Sequence, residues 1–420
     1  MHDPPSFGQS KQTVNNTFKE KVFGGFILIG IVGRTNTGKT TFFSAATLVD
    51  AEIANRPFVT IKPNQGTAFV TAKCPHLDLG KECNPVNSKC VNGTRLIPIT
   101  LLDVAGLVPD AWKGKGLGNQ FLNDLMQAKA LIHVVDASGR TDAEGNATSG
   151  YDPCNDVRFL EKEIAEWIRG ILQKNWHVIS KKASMDVKGP AEALAQQLSG
   201  LGVSVDDVKE VLKKGFDLKP EHWGEEELLK FSDEIRRKSK PMLIVANKMD
   251  VNGAKENFEK MKREFPEYKI VACCSEAELA LRKAAKNGLL EYLPGEKDFK
   301  VLKELPEVQA KALEFLKKNV LEQFENTGVQ QAINAAAFDL LELIAVYPVQ
   351  DQHKWMSGQG NILPDTFLLK KGSSALELAG AVHTDFIEKF VSAVDCRSGQ
   401  RIGKEHALKN GDVVKIQLGH

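Results

Sequence analysis

Gly33-Arg34-Thr35-Asn36-Thr37-Gly38-Lys39-Thr40 is the stretch that decides the fold. It fits the pattern G-x-x-x-x-G-K-[ST], and its flanks are those the pattern needs. The apolar run 26–32 before it reads as a buried strand, and 39–49 after it reads as a helix. Gly33 and Gly38 allow backbone N–H groups to turn toward phosphate oxygens. Lys39 places a point charge at the β and γ phosphates, and the Thr40 hydroxyl is a ligand for Mg²⁺. Thr37 and Thr41 complete the cradle. A chance glycine turn would lack the strand and the helix.

Working outward, Asp103-Val104-Ala105-Gly106 ends an apolar, β-branched run at 95–102. An Asp at a strand tip can hold Mg²⁺ through water, and Gly106 can give its N–H to a γ-phosphate. Asn247-Lys248-Met249-Asp250 follows the apolar run 241–246. Guanine offers two adjacent donors, N1–H and the N2 amino group, and one carboxylate accepts both, which adenine cannot match. Asp250 is thus the expected base reader, with the Lys248 stem along the ring and Asn247 bracing the loop. Thr60 suits a switch residue that reaches Mg²⁺ and the γ-phosphate; its plain alternative is a strand threonine. Lys39, Thr60 and Gly106 are the expected catalytic groups. Ser275, after the run 270–274, stands where a loop supports the base, although Ser275-Glu276 departs from the common Ser-Ala-Lys.

The 420 residues are 42% hydrophobic and 26% charged with a formal net charge of +1. These values suit a globular protein and provide no bulk charge for nucleic acid or an anionic membrane. No apolar run approaches the roughly 20 residues that span a bilayer. Seven cysteines, an odd number, with Cys273 and Cys274 adjacent in an apolar segment, point to free thiols and a cytoplasmic setting.

Strand-like runs alternating with helical stretches imply an α/β fold with a mostly parallel sheet. The expected division is a flexible extension at 1–24, a nucleotide-binding domain at 25–151 and 239–335, a helical insert at 152–238, and a β-grasp module at 336–420. Val157, Leu160, Ile164, Ile168 and Ile171 give the insert its apolar face. In the last module, Asn410-Gly411 is a hairpin signal. Its Lys370, Lys371, Arg397, Arg401 and Lys404 form either a local basic face or ordinary solubilising charge.

The residues 33–41, 57–64, 103–109, 116–119, 133–137, 278–284 and 410–416 together resemble the YchF-type GTPases of the Obg-related family, archaeal and fungal branch. The resemblance covers nearly everything after Gly25. It implies a P-loop GTPase domain, a coiled-coil-like helical insert, a C-terminal TGS domain and association with ribosomes or ribosomal RNA. Many such proteins replace the guanine-reading motif and prefer ATP, whereas Asn247-Lys248-Met249-Asp250 is kept here. A slow GTP-hydrolysing switch, monomeric or weakly oligomeric, is the expected function. An ATPase of the same fold and a nucleotide-sensing module with little hydrolysis are the alternatives.

Leu107 stands where many GTPases place a water-orienting glutamine. Either hydrolysis is simply slow, or another group completes the site. Asn36 resembles the P-loop asparagine through which related GTPases bind K⁺, and such a cation would offset developing negative charge. Finally, Cys74, His76, Cys83 and Cys90 offer four possible zinc ligands, but without the tight C-x-x-C pair of standard sites. Free or redox-active thiols are the expectation, and zinc is the alternative.

Overall fold

The computed structural model describes residues 27–48, 64–104, 106, 118–185 and 190–419. In chain order its first sheet comprises β1 (Leu28–Val32), β2 (Gln65–Lys73), β3 (Lys89–Val91), β4 (Thr94–Asp103), β5 (Ala130–Asp136), β6 (Met242–Asn247) and β7 (Ile270–Ala272). Their order is β2-β4-β1-β5-β6-β7, with β3 also paired to β4. The pairs β1–β4, β1–β5, β5–β6 and β6–β7 are parallel. Every residue of β1, β5 and β6 is buried, which is why each reads as a mostly apolar run and not as an alternation, with His133 as the polar residue inside β5.

One edge departs from the parallel pattern. Both β2 and β3 run antiparallel to β4. Asn92-Gly93 joins β3 to β4 with both residues at positive φ, 48° and 81°, the backbone a two-residue hairpin requires. Gln65-Gly66-Thr67-Ala68, opening β2, has no apolar run to mark it, and its partner lies far along the chain.

The helices Cys154–Gln173 and Glu225–Ser239 pack against each other. Val157, Leu160, Ile164 and Ile168 are buried, and Ile171 is half-buried. An aromatic knot of Trp176, Phe216, Trp223 and Phe231 fills their far side, with neighbouring ring centroids 4.9–5.8 Å apart. Each such ring contributes on the order of 1.5–3 kcal/mol by leaving water. Glu225–Glu227 in the first turn and Arg236–Lys238 in the last turn complement the dipole of the second helix.

After a short ladder of β8 (Leu290–Glu291) and β9 (Lys300–Val301) comes a second sheet. It comprises β10 (Leu343–Val349), β11 (Phe367–Lys370), β12 (Phe390–Asp395), β13 (Arg401–Ile402) and β14 (Val413–Leu418), in the order β11-β10-β14-β12-β13. Only the central pair β10–β14 is parallel. The helix Ala375–Val382 begins with a capping box between Ser374 and Glu377. Asn410-Gly411 does not close a simple hairpin. The Asn410 side chain accepts from Ala345 N at 2.8 Å, and Gly411 N donates to Ala345 O at 2.7 Å, so the turn is clasped to β10.

The two sheets share a hydrophobic core. Ile97 and Ile99 of β4 belong to the same buried cluster as Tyr347, Trp355, Leu363 and Val413. A polar seam runs beside it. Val86 N donates to Pro364 O at 2.7 Å, Thr366 N to the Asn87 side chain at 2.9 Å, and Arg95 to Leu363 O at 3.1 Å.

Candidate nucleotide-binding site

The C-terminal ends of the parallel strands converge on a cavity of about 560 Å³. Ligands of open α/β sheets bind at this edge because the loops there are free to present side chains. Gly38, Lys39, Thr40 and Thr41 line one end; Asn247, Lys248, Asp250 and Ser275 line the other. Gly106 lies on its wall.

At the phosphate end, the helix Lys39–Thr47 starts directly after Gly38, whose φ is 93°. A Cβ at Gly38 would stand 2.2 Å from the Asn247 amide, so only glycine fits. Lys39 Nζ donates to Asp103 Oδ1 at 3.1 Å, bringing the expected phosphate lysine and the expected Mg²⁺ aspartate side by side. Thr37 is buried, and its hydroxyl donates to Arg34 O at 3.1 Å.

At the base end, Asn247 is buried and fully engaged. Its amide nitrogen donates to Thr37 O at 2.9 Å. Its oxygen accepts from Ser275 N at 3.1 Å and Ser275 Oγ at 2.9 Å. One side chain therefore ties the P-loop, the β6 loop and the β7 loop together. Lys248, at φ 63°, donates to Asn36 O and to Asp136 Oδ2, both at 2.8 Å. Asp250 is exposed at the mouth. Its neighbour Met249 is buried, so the loop is anchored while the carboxylate is presented.

Sequence reasoning missed Asp136 as a site-building residue. Burial alone would raise its carboxyl, but hydrogen bonds from Lys248, Ser138 and Thr141 hold it below the usual range. Its position at the tip of β5, level with Asn247 at the tip of β6, was the available signal. Arg34 was also missed. It is buried, pairs with Asp156 at 2.8 Å and stacks on Phe159 at 3.9 Å. The P-loop is thereby fastened to the helical region. Burial raises the Asp156 carboxyl to about 6 despite the Tyr151 hydrogen bond and the Arg34 charge.

His133 lies under this loop, fully buried, with neither ring nitrogen hydrogen-bonded. Burial, and then the Arg34 charge, push its pKa down to about 3. Protons are thus bound by the unfolded chain but not the folded one between about pH 6.5 and 3, so His133 lowers stability as pH falls through that window. Urea unfolding at pH 7 and pH 4 should show His133→Leu losing about 3 kcal/mol less than wild type on acidification. Equal losses would show that His133 charges freely in the fold.

Of the basic residues in the last module, Arg397 and Arg401 are exposed and partly engaged. Arg397 pairs with Asp78 and donates to Gly411 O at 2.9 Å, while Arg401 donates to Ser392 Oγ at 2.8 Å. All seven cysteines are unbridged. Cys273 and Cys274 are buried, as expected. The ligand atoms of Cys74, His76, Cys83 and Cys90 gather within 4.8 Å of one another. Residues 1–24, Thr60 and Leu107 lie outside the described residues.

A phosphate loop after β1, an acid at the tip of β4 and an Asn-Lys-x-Asp loop after β6 define a P-loop GTPase. Family models agree. One described as a 50S ribosome-binding GTPase matches residues 28–182. An Obg-like GTPase YGR210-like, G4 motif-containing domain matches 245–351. A TGS domain matches 359–417. A GTP-binding protein of Methanocaldococcus jannaschii is 48% identical over 391 residues, covering 93% of this chain and 98% of its own. The ribosome-binding ATPase YchF of Bacillus subtilis is 29% identical, covering 93% of this chain and 98% of its own. The crystal structure of a GTP-binding protein from Pyrococcus horikoshii superposes with a TM-score of 0.75 at 41% identity, covering 93% of this chain and 99% of its own. The chain belongs to the YchF/Obg-like GTPase family.

Proposed function

We propose that the chain binds GTP with Mg²⁺ in this cavity, hydrolyses it slowly, and acts as a switch on the translation apparatus. One observation carries the GTP reading: a carboxylate, Asp250, is presented at one end of a cavity whose other end holds Lys39 and Thr40. In this reading 25–151 and 239–335 bind nucleotide, 152–238 is an insert and 336–420 the TGS-like unit. Thr40, Thr60 and Asp103 would hold Mg²⁺, which supplies charge neutralisation at the phosphates. The carboxylate at the tip of β4, already beside the phosphate lysine, fits that donor set. Two printed names support a ribosomal partner, the family model for residues 28–182 and the Bacillus relative. No helix among the described residues is long and apolar enough to cross a membrane.

The direct test compares GTP and ATP affinities of the purified chain. GTP should bind more tightly by about 100-fold, the value of two charge-assisted hydrogen bonds. Equal affinities would favour the ATPase reading that the Bacillus name suggests.

The Asn36 side chain, at φ 63°, donates its amide to Gly145 O at 2.8 Å, leaving its oxygen as the group for a monovalent cation. Replacing K⁺ by Na⁺ should slow GTP turnover by on the order of 10²-fold with little change in affinity. Asn36→Ala should erase the difference. Identical rates in both salts, with and without ribosomes, would remove K⁺ from the reading.

A further inference from the structure

Cys74, His76, Cys83 and Cys90 come from four different places along the backbone. Cys74 follows β2, His76 opens the short helix His76–Leu79, Cys83 lies in the loop beyond it, and Cys90 is the middle residue of β3. Cys74 is buried and the others half-buried. Cys74 Sγ and Cys83 Sγ are 3.7 Å apart; the His76 Nδ1 atom is 3.2 Å from Cys83 Sγ and 3.5 Å from Cys90 Sγ. A disulfide brings sulfurs to about 2.05 Å, so this is not a bridge. A tetrahedron with bonds of about 2.3 Å to sulfur and about 2.0–2.1 Å to nitrogen has edges of roughly 3.8 Å and 3.6 Å. The 3.7 Å and 3.5 Å separations match those edges, the 3.2 Å one is shorter by about 0.4 Å, and all four ligand atoms lie within 4.8 Å of one another.

A second observation stands apart from the cluster's own geometry. Arg95, paired with Cys90 across β3 and β4, is fully buried. Its guanidinium donates to two neutral acceptors, Ser88 Oγ at 3.0 Å and Leu363 O at 3.1 Å, and its Nε has no partner. Asp365 is within electrostatic reach but makes no ion pair with it. A buried cation without an ion-pair partner costs several kcal/mol. The Tyr347 hydroxyl, near Cys74, Cys83 and Cys90, is also buried without a partner.

We propose that these four residues bind one structural Zn²⁺ as a closed Cys₃His site. On binding, three thiols give up their protons to solvent, and three thiolates and one neutral imidazole coordinate the ion. The resulting centre carries one net negative charge, which is the counter-charge Arg95 otherwise lacks. Its thiolates are acceptors for Tyr347. With all positions taken by protein, the site has a structural role.

What it fastens is the seam between the sheets. Cys83 and Cys90 bracket 84–89, and 84–88 carries most of the polar contacts to 361–366. Asn84 Nδ2 donates to Asn361 Oδ1 at 2.8 Å, Val86 N to Pro364 O at 2.7 Å, and Asn87 Nδ2 to Thr366 O at 3.0 Å. Zinc thus holds the docking loop in the shape the TGS side matches. This inference is independent of which nucleotide the chain uses.

The full-length chain, purified under reducing conditions without chelator, is assayed by elemental mass spectrometry. It should hold about one Zn²⁺ per chain. Cys83→Ser and Cys90→Ser should each retain at least about tenfold less, while Cys154→Ala retains as much as wild type. Should the serine variants fail to fold, wild type decides. Zinc-stripped protein titrated with Co²⁺ should show intense tetrahedral d–d bands and thiolate charge-transfer absorption, both abolished by Zn²⁺. Amide exchange should then be faster at 84–88 and 361–366 in stripped protein, and unchanged at 33–40. A reduced, folded chain that takes up neither Zn²⁺ nor Co²⁺ would overturn the proposal. So would iron in place of zinc, or a native Cys74–Cys83 disulfide.

Discussion

Lys39→Ala should lose triphosphate turnover by about 10³-fold or more while remaining folded. Lys39 opens its helix at the cavity wall, and its partner is Asp103 Oδ1, 3.1 Å away. The pair is partly open to solvent, with side-chain exposures of 12% and 20%, so its own contribution to stability is at most about 1 kcal/mol. The charge it brings to transferring phosphate is worth far more, because a preorganised group in a sheltered site needs no reorganisation as charge develops. Phosphate release under multiple turnover and the melting temperature are the two measurements. Lys39→Arg should not rescue, since a planar fork cannot replace a point charge on a slim stem. Unchanged turnover in a folded Lys39→Ala chain would refute hydrolysis at this site.

Asp250→Asn should weaken GTP binding by about 3 kcal/mol, or roughly 150-fold. The amide keeps one acceptor and turns a donor toward the guanine amino group. Xanthine retains N1–H but carries a carbonyl in place of that amino group, so it meets the amide with one donor and one acceptor in register. The variant should therefore bind XTP more tightly than GTP, the reverse of wild type. Loss of both nucleotides would point to a damaged loop. Unchanged GTP affinity would mean that Asp250 does not read the base.

The parts of the fold that local chemistry dictates were legible. The strands β1, β5 and β6 are buried throughout, so apart from His133 and the tips Asp136 and Asn247 they carry no polar side chain. Gly38 has no alternative, because Asn247 occupies the space a side chain would take. Less legible was whatever depends on contacts between distant segments. Strand β2 takes its stability from nine paired positions on β4 and only part of its length from its own apolar residues. The bracing role of Asn247 was anticipated, yet its partners, Thr37 and Ser275, are set by three loops meeting. Lys248 was expected along the base, and its ammonium proves to be tethered to Asn36 and Asp136. The cysteine–histidine cluster is the sharpest case. Six-residue gaps conceal a cluster that the Asn92-Gly93 turn and the short helix after β2 bring together.

Strand β4 reaches from Arg95, bonded to Leu363 of the TGS side, to Asp103, bonded to the phosphate lysine. Eight steps of extended chain separate these residues, roughly 26 Å. Three neighbouring strands grip it along that length, and slipping by one residue would turn its buried face outward. It is a strut. It sets the span between the phosphate site and the seam. In the switch proposed above, a strand held in register would not slide, so a change at the γ-phosphate would have to pass through other contacts of the phosphate loop. Arg34, clamped to Asp156, is one such contact, and it ties that loop to the helical region.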